Sequence, residues 1–215
     1  MPESSRRALP AEMTLAYELH GNCYLNITWH CTLRCDFCPK FNGTWEVQGY
    51  DLRLWQEPTL EELLAAVGDP AKYKEIVFCG LGEPTLRIDL LVELARELKA
   101  RGAKRVRVNT DGLANLVHGR DVTPEMAGGE MAGVVDAVSV SLNAQDEFTY
   151  NRHCRPKQPG AFAAAQAFIA AARDAGMAVT VTAIDGLEGV DIEACRRIAE
   201  GLGVEFRRRV MNLVG

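Results

Sequence analysis

The chain has 215 residues, 47% of them apolar, which is enough to bury the core of one α/β domain without a metal or disulfide to hold it together. Its formal net charge of -5 argues against a protein that wraps duplex nucleic acid, since such domains carry a basic surface. We expect a cytoplasmic protein without a membrane anchor, because no apolar run could span a bilayer and seven cysteines, an odd number, suit a reducing compartment.

Six β-rich runs and the helical patterns between them predict the fold class. The runs cover residues 23–29, 74–80, 105–110, 137–143, 178–184 and 203–210. One intervening helix opens with a Thr59-x-x-Glu62 capping box, and three others each end at a glycine. Repeating strand-helix units predict parallel strands joined by right-handed crossovers, and six units are fewer than the eight that close a full barrel. The sequence therefore predicts an α/β fold with an open sheet or partial barrel.

A polar segment follows each of the first five predicted strands. In chain order these segments are the cysteine run, "GLGEP", "NTDG", "SLNAQD" and "IDGLE". The carboxyl ends of parallel strands meet at one rim, where ligands and catalytic groups gather in α/β proteins. The sequence therefore predicts one site that draws its residues from five strands.

Cys31, Cys35 and Cys38 crowd into eight residues as Cys-x-x-x-Cys-x-x-Cys. Thiolates bind zinc or iron-sulfur clusters, and a structural zinc site requires four ligands. His30 could complete a Cys3His zinc site, although two neighbours at a strand end rarely point their side chains at one ion. A 4Fe-4S cluster held by three cysteines instead leaves one iron open to a further ligand. The spacing favours the cluster, with zinc as the alternative.

With Phe37 directly before its last cysteine, this run resembles the cluster loop of the radical S-adenosylmethionine (radical SAM) superfamily. Together with "FCGLGEPTLR", "NTDGLANLVHGR" and "YNRHCRPK", it is similar to the small TatD family-associated radical SAM proteins from about Tyr17 to Arg209. The resemblance implies an open (β/α)6 TIM-like partial barrel of parallel strands. This single domain is expected over residues 17–215, after an N-terminal extension over residues 1–16.

The same resemblance implies the cofactors and the chemistry. The three cysteines would hold one 4Fe-4S cluster, and the amino and carboxylate groups of SAM would chelate its open iron. An electron from an external donor of the flavodoxin or ferredoxin type would cleave SAM to a 5'-deoxyadenosyl radical, which abstracts hydrogen from an unidentified substrate. So small a barrel would leave one side open. The expected cover is a large substrate, such as a protein or nucleic acid, or a neighbouring subunit.

Residues at the other strand ends are expected to bind SAM. "GLGEP" resembles the superfamily's Gly-Gly-Glu-Pro motif with Leu81 in place of one glycine, and Glu83 would accept a hydrogen bond near the SAM amino group. Strand alternation sends Arg208 to the face opposite Arg207, and a guanidinium inside the barrel could clamp a carboxylate of SAM or substrate. The expected cofactor-binding residues are Phe37, Gly80, Gly82, Glu83, Asn109, Asp111, Ser141, Asn143, Ile184 and Arg207.

Cys154 is the candidate catalytic residue outside the cysteine run. It lies in a basic segment with Arg152, His153, Arg155 and Lys157, which is expected to lower the pKa of its thiol and leave it accessible. It could donate a hydrogen atom, hold a covalent intermediate, bind a metal, or simply begin a helix. Two other functions stay open: an activating enzyme that installs a glycyl radical in a neighbouring protein, and a non-catalytic iron-sulfur or zinc-binding module.

Overall fold

The computed structural model describes residues 13–124 and 131–211, so most of the predicted N-terminal extension lies outside the described residues. A seven-stranded sheet forms the centre of the fold, and a separate two-stranded hairpin packs against its N-terminal edge. In chain order the strands are β1 (Ala16–Leu19), β2 (Asn22–Asn26), β3 (Glu46–Val47), β4 (Tyr50–Asp51), β5 (Ile76–Cys79), β6 (Val106–Thr110), β7 (Ala137–Ser141), β8 (Ala178–Asp185) and β9 (Glu205–Val210).

The sheet follows the order β1-β2-β5-β6-β7-β8-β9, and its last six strands run parallel. Each of the six predicted strands is present, which confirms the α/β class and the open sheet. β1 is an addition to the prediction, and it pairs antiparallel with β2, placing Ala16 opposite Leu25. Since β1 and β9 are the two edges, the sheet is not closed into a full barrel.

Helices connect the parallel strands and cover one face of the sheet. They are α1 (Leu60–Val67), α2 (Ile88–Ala100), α3 (Ala114–His118), α4 (Glu147–Cys154), α5 (Ala161–Asp174) and α6 (Ile192–Gly201). The predicted capping box begins α1: the Thr59 hydroxyl accepts from the Glu62 amide at 3.2 Å, and the Glu62 carboxylate accepts from the Thr59 amide at 2.8 Å. Within the described residues, no helix has the length and apolar character needed to cross a bilayer.

Alternation along the strands gives the sheet two different faces. Leu25, Phe78, Val108, Val140 and Val181 are fully buried in the core that the sheet shares with the helices. Side chains at the alternate positions point the other way, because strand side chains alternate with a period of two. We call this second surface the inner face. Among the described residues the helices pack on one side, which leaves the inner face beyond the hairpin, and the rim above it, available to a ligand.

Candidate active site

The cysteine loop, residues 31–38, follows β2 at the rim. Cys31, Cys35 and Cys38 are free thiols, each partly buried, and Cys35 lies close enough to the other two to affect their ionisation. A hydrogen bond of 3.2 Å from the Cys38 amide to the Cys35 carbonyl tightens the loop, and a short 3-10 turn, Pro39–Phe41, begins directly after it. The loop gathers three thiols beside the carboxyl end of the first parallel strand.

The end of α4 anchors the middle of this loop. The amides of Arg34 and Asp36 donate to the carbonyls of Cys154 and His153, at 3.0 and 2.9 Å, so a backbone bond lies on each side of Cys35. The His153 ring adds a contact of 2.9 Å between Nδ1 and the Asp36 carboxylate, and its Nε2 lies 2.8 Å from a backbone carbonyl. The position of Cys35 is therefore set by α4 rather than by the loop alone.

Lys157 anchors the first part of the loop. Its amide donates to the Thr32 carbonyl at 3.1 Å, and its ammonium group donates to the Cys31 carbonyl at 2.7 Å. Lys40 similarly donates to the Trp29 carbonyl at 2.7 Å, just before the loop begins. These bonds satisfy carbonyls that the irregular backbone would otherwise leave unpaired. Lys40 also places positive charge close enough to Cys38 to affect the ionisation of its thiol.

The donor set fits an iron-sulfur cluster. Burial raises the pKa of the Cys31 and Cys38 thiols. A hydrogen bond with the Cys154 thiol is the largest cause of the raised pKa of Cys35, and burial is the second. The three thiols are therefore protonated without a metal, and a bound metal must displace these protons. In the described part of the chain, no three His, Cys, Asp or Glu side chains are arranged around a single metal ion. A four-iron cluster does not need that arrangement, because each cysteine binds a different iron.

His30 does not support the zinc alternative. Its side chain is 63% exposed and its Nε2 lies 3.7 Å from the Glu57 carboxylate. The ring packs against Trp29, with 4.9 Å between the ring centroids. A residue held in this way by an acid and an aromatic ring gives no sign of serving as a fourth metal ligand.

The two glycines of "GLGEP" permit close packing at the end of β5. Gly80 has φ +121°, and a Cβ there would lie 2.5 Å from Oδ1 of Asn26. A Cβ on Gly82 would lie 2.7 Å from the His30 carbonyl oxygen and closer still to that of Thr28. Real side chains do not approach backbone so closely, so the segment that leads into the cysteine loop requires glycine here.

Glu83 and Asp111 form a buried carboxyl pair behind the loop. The Glu83 oxygens accept from the Thr85 amide and hydroxyl at 3.0 and 2.7 Å, from the Thr110 hydroxyl at 2.9 Å and from the Asp111 amide at 2.7 Å. The Thr32 hydroxyl donates to Asp111, which links the cysteine loop to the pair. Burial, followed by the Asp111 carboxylate, raises the pKa of Glu83 to about 8, and burial also raises the pKa of Asp111. Glu83 thus ties β5 to β6 with its acceptors already engaged.

The other predicted cofactor residues spread along the rim and the inner face. Asn109 accepts from Arg107 and donates to the Cys79 sulfur at 3.3 Å. Ser141 ends β7, and Asn143, with φ +62°, donates to the Ser141 carbonyl at 3.3 Å. On the neighbouring strands, Ile184 is 5% exposed and Arg207 donates to Ser139 at 3.4 Å. Phe37, in the cysteine loop, is partly buried and packs against the core.

The structure corrects the prediction that the Cys154 thiol is accessible. Cys154 is the last residue of α4 and is 0% exposed, because the final turn of that helix faces the cysteine loop. Its thiol contacts Cys35, and the Asn143 amide nitrogen lies 3.9 Å from its sulfur. Tyr150, one turn earlier on the same side of α4, is also 0% exposed, and its hydroxyl has no hydrogen-bond partner among the described residues.

The sequence-based prediction of the site did not include four residues that the structure places there. Thr32 and Lys157 hold the loop from two sides, His153 pairs with Asp36, and Tyr150 lies behind the thiols. The spacing of Tyr150 and Cys154 by four residues on a helix is a signal that both share one face. The sequence holds no comparable signal for contacts to Thr32 or Asp36, which depend on residues far along the chain.

An open α/β barrel with three cysteines after its first parallel strand defines the class of enzymes that bind an iron-sulfur cluster at the barrel rim. The family model described as the radical SAM superfamily matches residues 25–202, and the chain belongs to that superfamily. Members of the superfamily use a 4Fe-4S cluster and SAM. The sequence-based prediction of the superfamily and of its cofactors is confirmed at this level.

Similar solved structures share the fold. Methylornithine synthase (PylB) superposes with a TM-score of 0.56 at 17% identity over 89% of this chain and 53% of that chain. The FeFe-hydrogenase maturase HydG from Carboxydothermus hydrogenoformans superposes with a TM-score of 0.58 at 14% identity, over 89% of this chain and 44% of that chain. At such identities the likeness concerns the fold alone.

One curated relative is similar in sequence. The tungsten-containing aldehyde ferredoxin oxidoreductase cofactor-modifying protein of Pyrococcus furiosus is 35% identical over 82 residues, which are 37% of this chain and 20% of that protein. The chain thus spans about half of these two solved structures and a smaller part of this relative. The narrower resemblance to the TatD family-associated group stays a prediction.

Proposed function

We propose that the protein cleaves SAM reductively at a 4Fe-4S cluster held by Cys31, Cys35 and Cys38, and so abstracts hydrogen from a substrate. The observation that carries this proposal is the cysteine loop of a superfamily member, fixed at the rim by backbone bonds on both sides of Cys35. When bound, the cluster and SAM supply a 5'-deoxyadenosyl radical as the hydrogen acceptor. The chain supplies the binding, orientation and exclusion of water that such chemistry requires.

The rim residues divide into direct and indirect roles in this proposal. Glu83 and Asp111 position the ends of β5 and β6, because their oxygens already accept bonds within the protein. Gly80 and Gly82 let the same strand ends approach the cysteine loop. The residues that we assign to contact with SAM are Phe37, Asn109, Ser141, Asn143 and Ile184. Arg207, predicted to clamp a group of SAM or substrate, is assigned to the substrate.

Cys154 acts on the cluster through Cys35 in this proposal. A buried thiol with no exposed surface has no route to a substrate, so a covalent role is not supported. Its contact with Cys35 instead allows a hydrogen bond to a cluster-bound sulfur, and such bonds influence the reduction potential of an iron-sulfur cluster. We therefore treat Cys154 as a positioning residue.

The electron donor is proposed to be an external flavodoxin or ferredoxin type protein. Arg34, Lys40 and Lys157 lie in or beside the cysteine loop, and an acidic donor would be complementary to these positive charges. Seven free cysteines, two of them wholly buried apart from the site, suit a reducing compartment, which supports a cytoplasmic location.

The substrate is proposed to cover the open side of the barrel. The sheet ends at β9, and Val210 and Met211 beside it are 68% and 52% exposed. A large substrate or a neighbouring subunit resting there would exclude water from the inner face. A protein or nucleic acid satisfies this requirement better than a small metabolite does, since a small molecule could not close the gap.

SAM cleavage in the absence of oxygen tests the proposed function. The reconstituted full chain, incubated with SAM and dithionite, should form 5'-deoxyadenosine, and Cys38→Ala should abolish both iron binding and product. Cys195→Ala is the matched control, because Cys195 is buried in α6 away from the loop. Intact SAM with a fully loaded cluster would instead indicate a non-catalytic binding module. A glycine-centred EPR signal in an added protein would identify an activating enzyme.

A further inference from the structure

β9 places two arginines next to each other on the inner face. Arg207 and Arg209 are two residues apart, so strand alternation puts them on one side, about 7 Å apart along the strand. Arg207 donates to the inner-face Ser139 at 3.4 Å. Arg209 lies near Arg207 and near Cys79 of β5, because the sheet curves around the inner face. Arg208, between the two, points outward and pairs with Asp185.

No carboxylate neutralises the two arginines in the part of the chain that the structure describes. The ion pairs of residues 13–124 and 131–211 leave out Arg207 and Arg209, whereas Arg107, on the same face, pairs with Glu75 at 2.9 Å. Arg209 is partly buried, and burial together with Arg207 lowers its pKa, although a guanidinium stays charged at neutral pH. Arg207 is exposed and Arg209 partly buried, so two like charges stand side by side on the inner face.

This arrangement of two unpaired arginines destabilises the folded state, and a bound anion would remove that cost. The two guanidinium groups repel each other, and that of Arg209, which is partly buried, has lost part of its hydration. Each guanidinium offers several donors in a planar fork that matches the oxygens of a phosphate or carboxylate. A phosphate monoester carries a charge of about -1.5 to -2 at pH 7 and three acceptor oxygens, so it can neutralise both arginines at once.

We propose that Arg207 and Arg209 bind a phosphate monoester group of the substrate on the inner face. This inference rests on the proposed function, because it assumes that the inner face receives the substrate. SAM is a poorer match, since its one anionic group is a carboxylate that the superfamily resemblance assigns to the open iron.

Phosphate binding by the full, cluster-loaded chain with SAM present tests the proposal. Isothermal titration with inorganic phosphate at fixed ionic strength should show binding to the wild type and to Arg208→Gln. Arg207→Gln and Arg209→Gln should each weaken it by about tenfold, as expected for a lost charge-assisted bond. Arg208→Gln is the matched control, because it removes the same charge from the same strand on the outer side. Dimethyl phosphate, with a single charge, should compete poorly.

Stability gives a second measurement that does not depend on activity. Phosphate should raise the melting temperature of the wild type and of Arg208→Gln, and should raise that of Arg209→Gln much less at the same phosphate concentration. Equal phosphate binding by Arg209→Gln and Arg208→Gln would overturn the proposal, as would displacement of phosphate by SAM. Equal competition by dimethyl phosphate would overturn the choice of a monoester. Each of these results is compatible with normal SAM cleavage, so the proposed function would survive them.

Discussion

Gly82→Ala tests whether the close packing at the end of β5 holds the cysteine loop in place. A methyl group there would meet the carbonyl oxygens of His30, at 2.7 Å, and of Thr28, which is nearer. Neither neighbour is a flexible side-chain end that could move away, because both atoms belong to the backbone. The Glu83 amide also donates to the His30 carbonyl at 2.7 Å, so any separation of the two segments weakens that bond.

The expected cost is about 3 kcal/mol of the free energy of unfolding. Forcing one extra carbon into a filled space costs roughly 1–3 kcal/mol, and a weakened hydrogen bond adds about 1 kcal/mol. For a domain of this length, such a loss lowers the melting temperature by about 10 °C. Because His30 directly precedes Cys31, the displaced backbone should also reduce the iron that the chain retains after reconstitution.

Urea unfolding of the cluster-free chain and iron analysis of the reconstituted chain would measure both effects. Gly201→Ala is the matched control: Gly201 ends α6, a Cβ there meets no atom within 4 Å, and alanine is favoured in a helix by up to about 1 kcal/mol. If Gly82→Ala unfolded at the same urea concentration as Gly201→Ala and retained as much iron, the packing argument would be wrong.

Three further changes test the loop and its supports. As the pH rises from 5 to 8, Glu83 should lower the free energy of unfolding on the order of 1 kcal/mol per pH unit, because its carboxyl keeps a proton in the folded state and releases it in the unfolded state. Glu83→Gln should flatten this slope in urea titrations. Asp36→Asn should weaken the contact with His153 and lower iron retention after gel filtration, and unchanged retention would contradict it. Cys154→Ala should shift the cluster's midpoint potential in EPR-monitored titrations, whereas Cys195→Ala should not.

Much of the fold is predictable from sequence because it depends on local patterns. The strand at residues 106–110 is a β-rich run with alternate burial, and the capping box of α1 joins residues only three apart. β1 escaped prediction because its four residues, "AYEL", are too few for a periodic signal, and pairing with β2 fixes its position. The hairpin of β3 and β4 has two residues in each strand and gives still less signal.

The site shows where local reasoning fails. Spacing alone identifies Cys31, Cys35 and Cys38, because a loop of eight residues must keep them close. The environment of Cys154 depends instead on contact between α4 and a loop much earlier in the chain, and the basic residues beside it suggest an exposure that this contact removes. Arg207 and Arg208 lie on opposite faces of the sheet, as predicted, because successive side chains in a strand alternate between the two faces.

The bonds between α4 and the cysteine loop also set an order of events during synthesis on the ribosome. Asp36 and His153 are 117 positions apart, and Cys31 and Lys157 are 126 apart. At a translation rate of 5–20 residues per second, on the order of 10 s passes between the emergence of the thiols and that of the groups that hold them. The nascent thiols lack their native supports throughout that interval. Insertion of iron into its final position is therefore expected to follow the synthesis of α4 and Lys157.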